Sequence, residues 1–184
     1  MRLFAAVVPP PAALAELAAA LPPAPLPAAL RFVPEQQRHL TVAFYADVPD
    51  AAVVSLQERL RRAAGRTPRL SLRLNGFGTF PANATRARVL WAGVDGDVAE
   101  LTRLAERAVA AGRRAGVAVE DRPYRPHLTV ARARQGAADL REVIAALSLD
   151  GGRWTAAELV LVRSTVGAEV RHEPIARFLL GGAS

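Results

Sequence analysis

The chain has 184 residues, enough for one domain with a real core, and its 51% apolar and 22% charged composition excludes a disordered protein. It has no cysteine and three histidines, which excludes a disulfide scaffold and leaves too few soft ligands for a structural zinc site. The net charge is +7 and all 24 basic residues are arginine. A GC-rich coding sequence explains arginine in place of lysine but not the excess of cations, and a basic, arginine-rich surface suits a phosphate-bearing partner such as nucleic acid or a nucleotide.

Taken in order, residues 3–8 read as a short buried strand. Pro9, Pro10 and Pro11 suit the turn and first positions of a helix, which continues over residues 12–21. The proline-rich stretch 22–27 reads as a loop. Residues 30–33 form a short strand, and residues 38–46 a longer one. Pro49 and Asp50 open a helix that runs to about Ala64 and is ended by Gly65. Residues 69–74 alternate as a strand. A second series follows: a strand over 85–94, a helix over 98–114 ended by Gly116, a short strand at 117–119, a strand at 127–133, and a helix at 138–147. Strands at 159–165 and 174–180, with a turn near Gly167, predict a C-terminal hairpin over 159–180. The apolar run of residues 3–8 is shorter than a signal-peptide core and is stopped by three prolines, so no secretory leader is expected. No stretch reaches the length of a membrane span. A cytoplasmic protein, monomeric and without membrane contact, is expected.

The centre of the chain is a pentapeptide that occurs twice. His39-Leu40-Thr41-Val42-Ala43 returns 88 positions later as His127-Leu128-Thr129-Val130-Ala131. Each copy alternates polar and apolar residues and so reads as a strand. On a strand, residues two apart share a face, so each histidine lies beside its threonine while leucine and valine face a core. The flanking elements repeat at nearly the same spacing: Leu3 matches Val89, 86 positions on, and residues 70–74 roughly match residues 158–162, 88 positions on. The spacing predicts one domain over 1–184, duplicated as roughly 1–80 and 85–165. The fold class is α+β: two pseudo-symmetric lobes, each an antiparallel β-sheet backed by helices, with the active-site cleft between them.

Two imidazoles and two hydroxyls in one cleft suit acid–base chemistry. Imidazole titrates near neutrality, so one ring can take a proton while the other gives one. Threonine hydroxyls can donate to phosphate oxygens, and arginine can neutralise the charge that develops there. The arrangement requires neither a metal nor a cofactor. A single His-x-Thr is better explained as a histidine capping a strand, but two copies in matched settings are not. His39 and His127 are the candidate catalytic residues, with Thr41 and Thr129 as phosphate-binding partners. Phe4 and Tyr45 can stack on a base in principle, although Phe4 lies in a buried-looking strand. Trp91 and Trp154 read as core, and His172 as a surface histidine in a turn.

These motifs resemble the two-histidine (2H) phosphoesterases. In detail they resemble the branch of 2′-5′ RNA ligases and RNA 2′,3′-cyclic phosphodiesterases (LigT-like). The segments Met1-Arg2-Leu3-Phe4-Ala5-Ala6, Arg31-Phe32-Val33-Pro34, Arg38 through Phe44, Arg125 through Arg132 and Leu159 through Ser164 carry the likeness, which spans essentially the whole chain. It implies a metal-independent enzyme that opens the 2′,3′-cyclic phosphate of an RNA end to a 2′-phosphate, with His127 as base and His39 as acid. It also implies Arg132 as a phosphate-binding residue. Strict strand alternation sets Arg132, five positions after His127, on the opposite face, so it reaches the phosphate only if the strand bulges. Arg125, two before His127, has the right parity and is the rival. A further departure is Tyr45-Ala46, where the family usually has Leu-Gly. The same residues would serve a 2′-5′ RNA ligase, or a phosphodiesterase acting on 2′-5′ oligonucleotides or small cyclic nucleotides. Substrate size would be set by loops at 76–83 and 120–126. An RNA-binding module without catalysis is the alternative from another class.

Overall fold

The computed structural model of the protein describes residues 1–21, 28–120, 122–167 and 170–181. The expected loop at 22–27 lies outside the described residues. In chain order the elements are β1 (Leu3–Val7), α1 (Pro11–Ala20), β2 (Leu30–Phe32), β3 (Leu40–Tyr45), α2 (Asp50–Gly65), β4 (Leu70–Phe80), β5 (Val89–Gly96), α3 (Val98–Arg114), β6 (His127–Ala133), α4 (Arg141–Ala146), β7 (Trp154–Ala156), β8 (Glu158–Val166) and β9 (Val170–Leu179). Short 3-10 turns occupy Glu35–Gln37 and Ala84–Arg86. Among the described residues no helix is long and apolar enough to cross a membrane.

The strands form one antiparallel sheet in the order β7-β4-β5-β6-β3-β1-β8-β9, with β2 added alongside β6. The expected lobes are the two halves of this sheet, and they meet at a single register pair, Leu40 with Leu128. Each of these leucines follows a motif histidine, so the pair relates the motifs by an approximate twofold axis. The third strand of each series crosses to the other half: β4 pairs with β5, and β8 pairs with β1. The halves in space are therefore interleaved in sequence, which ties them together.

Apolar alternation decides the layers. Leu3, Ala5 and Val7 of β1 face the main core, which also takes Leu56 and Leu60 of α2 and Leu101 and Leu104 of α3. A fully buried leucine contributes about 1.5–3 kcal/mol, so these helices are held by packing more than by propensity. The other face of β1 carries Phe4 and Ala6, which join Val160, Val162 and Phe44 in a second, smaller apolar cluster. That second face is the cleft side.

Several elements differ from the sequence reading. β4 runs on through Gly76–Phe80, which its glycines mark as loop, because a register shift after Leu74 lets the pairing with β5 continue. Residues 117–119 make only an isolated bridge, Tyr45 with Val119. The three-residue strand β7 has no counterpart in the sequence reading. Strand β9 begins four residues earlier than expected and places His172 opposite Ser164 in a ladder, not in a turn.

Candidate active site

Both motifs carry a β-bulge at the same place. Across β1 and β3, Ala5 pairs with Ala43 but Ala6 pairs with Thr41, so Val42 is the extra residue. Across β5 and β6, Leu90 pairs with Ala131 but Trp91 pairs with Thr129, so Val130 is the extra residue. A bulge resets the alternation beyond it. Arg132 therefore returns to the cleft face with His127 and Thr129. In the first motif the equivalent position holds Phe44, which lies on the cleft side, and Tyr45 turns to the helices. The Tyr45 ring is fully buried and its hydroxyl donates to the Ala108 carbonyl at 2.9 Å. Gly112 makes room for it: a Cβ there would come within 2.6 Å of the ring. Tyr45 is thus a packing residue and not a base platform.

The two histidines are held alike. His127 Nδ1 donates to the Arg125 carbonyl at 2.7 Å. His39 is hydrogen-bonded to the backbone of Gln37, also two residues earlier. With its Nδ1–H committed to a carbonyl, His127 presents Nε2 to the cleft. The turn leading to His39 is itself anchored. Gln37 Nε2 donates to the Val170 carbonyl of β9 at 2.8 Å, and Arg38 Nε donates to the Val33 carbonyl at 3.2 Å. The antiparallel register at Leu40 and Leu128 carries His39 toward Thr129 and His127 toward Thr41. Among the described residues neither threonine hydroxyl has a protein partner, so both are free to donate to a ligand.

Aromatic rings brace each imidazole. Phe4 stacks on His39 with centroids 4.5 Å apart and an interplanar angle of 19°. His172 meets His39 edge-on at 5.4 Å and Phe4 at 5.0 Å. Its Nδ1 is buried without a hydrogen-bond partner. His172 is therefore part of the cleft wall, and the surface-turn reading is corrected. Its location depends on the β8–β9 register, which no local pattern reveals. On the other side Phe80 meets His127 edge-on at 4.8 Å and contacts Trp91 at 5.3 Å. Trp91 is half-buried on the cleft face, not in the main core; a Cβ at Gly78 would lie 2.2 Å from its ring, so only glycine seats it there. Trp154 is buried, as expected.

The electrostatics disfavour protonation of both imidazoles. Burial chiefly, then His172, His127 and Arg132, hold His39 down at about 4. Burial, with Arg132 adding to it, lowers His127 as well. Arg132 itself is lowered by burial and by Arg31, which lies directly across the β2–β6 ladder. Arg125, the rival cation, is exposed, and its contribution is the carbonyl that holds His127. Cations crowded around two neutral bases make a receptor for an anion.

The sequence pattern of the 2′-5′ RNA ligase superfamily matches residues 9–168. Among curated proteins, the chain is 34% identical over 153 residues to an RNA 2′,3′-cyclic phosphodiesterase of Geobacillus stearothermophilus, covering 83% of this chain and 48% of that protein. It is 31% identical over 115 residues to one of Aeropyrum pernix, covering 62% of this chain and 63% of that one. The chain thus spans about half to two thirds of the length of these relatives. Among solved structures, TT0787 of Thermus thermophilus superposes with a TM-score of 0.80 at 29% identity over the whole of both chains. Escherichia coli LigT in its apo form does so with a TM-score of 0.76 at 26% identity, over 97% of this chain and 96% of that one. The chain belongs to the 2′-5′ RNA ligase superfamily of two-histidine phosphoesterases.

Proposed function

We propose that the protein hydrolyses the 2′,3′-cyclic phosphate at an RNA end to a 2′-phosphate, using His39 and His127 as the acid–base pair and no metal. The observation that carries this reading is the matched pair of backbone-held histidines at the seam of the sheet, each with a free threonine hydroxyl beside it. The names of the curated relatives support the substrate class. Thr41, Thr129 and Arg132 hold the non-bridging oxygens. A water oxygen bonds to phosphorus as the bond from phosphorus to O3′ breaks. One imidazole takes the proton of the water, and the other gives a proton to O3′. The product carries a 2′-phosphate and a 3′-hydroxyl. With a 5′-hydroxyl in place of water as the nucleophile, the 5′ oxygen bonds to phosphorus as the bond to O3′ breaks, and the same groups support 2′-5′ ligation.

Family resemblance assigns His127 as base and His39 as acid. The environment favours the reverse as a second reading, because His39 is held down at about 4 and resists carrying the acid's proton. Under the first reading the anionic substrate must draw that proton onto His39. NMR titration of both imidazoles, with and without a 2′-phosphate product, separates the two: uptake at His39 on binding supports the acid role. His172 and Phe4 act as positioning residues that fix the His39 ring.

The variants His39→Ala and His127→Ala test the site itself. Each is expected to abolish turnover while leaving RNA binding largely intact. Normal turnover in both would refute the assignment, and a wild type that binds RNA but opens no cyclic phosphate would favour a binding module.

A further inference from the structure

A second basic feature lies on the helical side of the sheet. α3 packs on the face of β3 opposite His39 and Thr41, as the Tyr45–Ala108 hydrogen bond shows. Between α2 and α3 runs an open groove of about 400 Å³. Its walls carry Arg59 and Arg62 from α2, Arg66 at the cap of that helix, and Arg107 and Arg114 from α3, against one acid, Glu106. The spacings 59, 62, 66 and 107, 114 each place one helix's guanidiniums on a single face. The floor is made by alanines such as Ala63, so the arginines line an open trough rather than fill it.

What sets these arginines apart is their clustering: among the described residues scattered arginines such as Arg61, Arg88 and Arg134 also lack a carboxylate partner, but here five share one groove. Elsewhere on the surface Arg73, Arg103, Arg122, Arg141, Arg163 and Arg177 each have a carboxylate partner. In the groove, Arg59 is hydrogen-bonded only to the Ser55 hydroxyl and Arg107 only to the Thr67 hydroxyl. Among the described residues none of the five forms an ion pair. Like charges three and four apart on a helix destabilise it, so this arrangement costs stability when it stands alone. Codon bias accounts for arginine rather than lysine; it does not account for five arginines against one acid along a single groove.

We infer that this groove binds the phosphodiester backbone of RNA, away from the end held in the cleft. The choice of RNA as occupant rests on the function proposed above. Arg59 to Arg66 spans about 10 Å of helix, enough to face about three phosphates of a nucleic-acid strand. Guanidinium forks suit phosphate oxygens, and no aromatic ring lines the groove, so it reads charge and spacing and not bases. Because it opens on the opposite side of the sheet from the histidines, it adds affinity for a long RNA without touching the reacting phosphate.

The test compares the wild type with the triple variant Arg62→Glu, Arg66→Glu, Arg114→Glu. Affinity for an RNA of about 20 nucleotides ending in an ordinary 3′-hydroxyl is measured by fluorescence anisotropy across a salt series. The variant is expected to bind at least about tenfold more weakly, with a salt slope shallower by about 2, as three lost phosphate contacts require. Turnover of a mononucleoside 2′,3′-cyclic phosphate should stay within about twofold of wild type, since the substrate has no backbone to place in the groove. The corresponding triple glutamine variant guards against misfolding: it should weaken RNA binding in the same direction and be at least as stable as wild type. Unchanged RNA affinity and salt slope in both variants would overturn the inference. So would capture of the wild type by phosphatidylserine vesicles without RNA binding, or loss of mononucleotide turnover in a folded variant. If the wild type binds long RNA in this salt-dependent way yet opens no cyclic phosphate, the groove stands and the proposed reaction falls.

Discussion

Arg132 and His127 share one face of β6 although they lie five positions apart, because Val130 is bulged out of the ladder between them. The counterpart of Arg132 in the first motif is Phe44, so a nearly twofold site has one cationic and one apolar flank. The bulge brings the guanidinium to the face of His127 and Thr129, where the proposed reaction develops negative charge. Arg132→Gln is expected to lower kcat/KM about 10²–10³-fold, the size of effect seen when a transition-state donor is removed. Steady-state kinetics on a cyclic-phosphate substrate check this. Arg125→Gln, by contrast, should leave kcat within a few-fold, because its backbone carbonyl still holds His127.

Thr41→Val and Thr129→Val keep volume and β propensity but remove a hydroxyl donor. A hydrogen bond to a charged group contributes about 1.5–3 kcal/mol, so each is expected to reduce kcat/KM by about 10–100-fold. Thermal stability should change little, since neither hydroxyl has a protein partner among the described residues. Equal turnover in the variants would remove these threonines from the site.

His39 makes stability depend on pH in a defined window. Its folded-state value lies at about 4, whereas an unfolded histidine titrates near 6.5. As pH falls from about 6.5 toward 4, the unfolded chain binds a proton that the folded site refuses. Stability is then lost, by up to roughly 3 kcal/mol. Above about pH 6.5 this contribution no longer varies. Urea midpoints measured from pH 7 to 4 should fall in wild type and fall less in His39→Gln. Parallel curves for the two would contradict the low value.

His172→Ala removes the edge-on ring beside His39, while His172→Phe keeps an apolar ring there. The alanine variant is expected to lower kcat about tenfold with little change in KM, as loss of alignment does. The phenylalanine variant should recover most of the loss. NMR should show the His39 imidazole titrating higher in both, because His172 depresses it. An unmoved His39 titration would reduce His172 to a bystander.

Tyr45 is tied to α3 by its buried hydroxyl, and Gly112 leaves space for its ring. Tyr45→Phe leaves the Ala108 carbonyl with one fewer donor and should cost about 1 kcal/mol. Gly112→Ala forces a methyl against the ring and should cost about 1–3 kcal/mol. Chemical denaturation measures both, and a stable Gly112→Ala protein would show that α3 can shift.

The duplicated pentapeptide made the paired histidines and threonines legible in sequence, because a strand's pleat puts alternate residues on one face and that alternation is written in the residue order. The limits of β6 and the succession of strands and helices were legible for the same reason. What escaped was set by long-range pairing. The bulges at Val42 and Val130 break the period locally, so they sent Tyr45 and Arg132 to the wrong faces in a strict alternation. The glycines of β4 read as loop, although Gly78 is there to seat Trp91. The exchange of β4 and β8 between the halves leaves no local trace, and His172 reaches His39 only through the β8–β9 register.

The most direct measurement incubates the protein with EDTA and a short RNA ending in a 2′,3′-cyclic phosphate, then identifies the product end. A 2′-phosphate formed in the chelator's presence is the predicted result. Activity abolished by chelation, a 3′-phosphate product, or no opening at all would contradict a metal-free two-histidine phosphodiesterase.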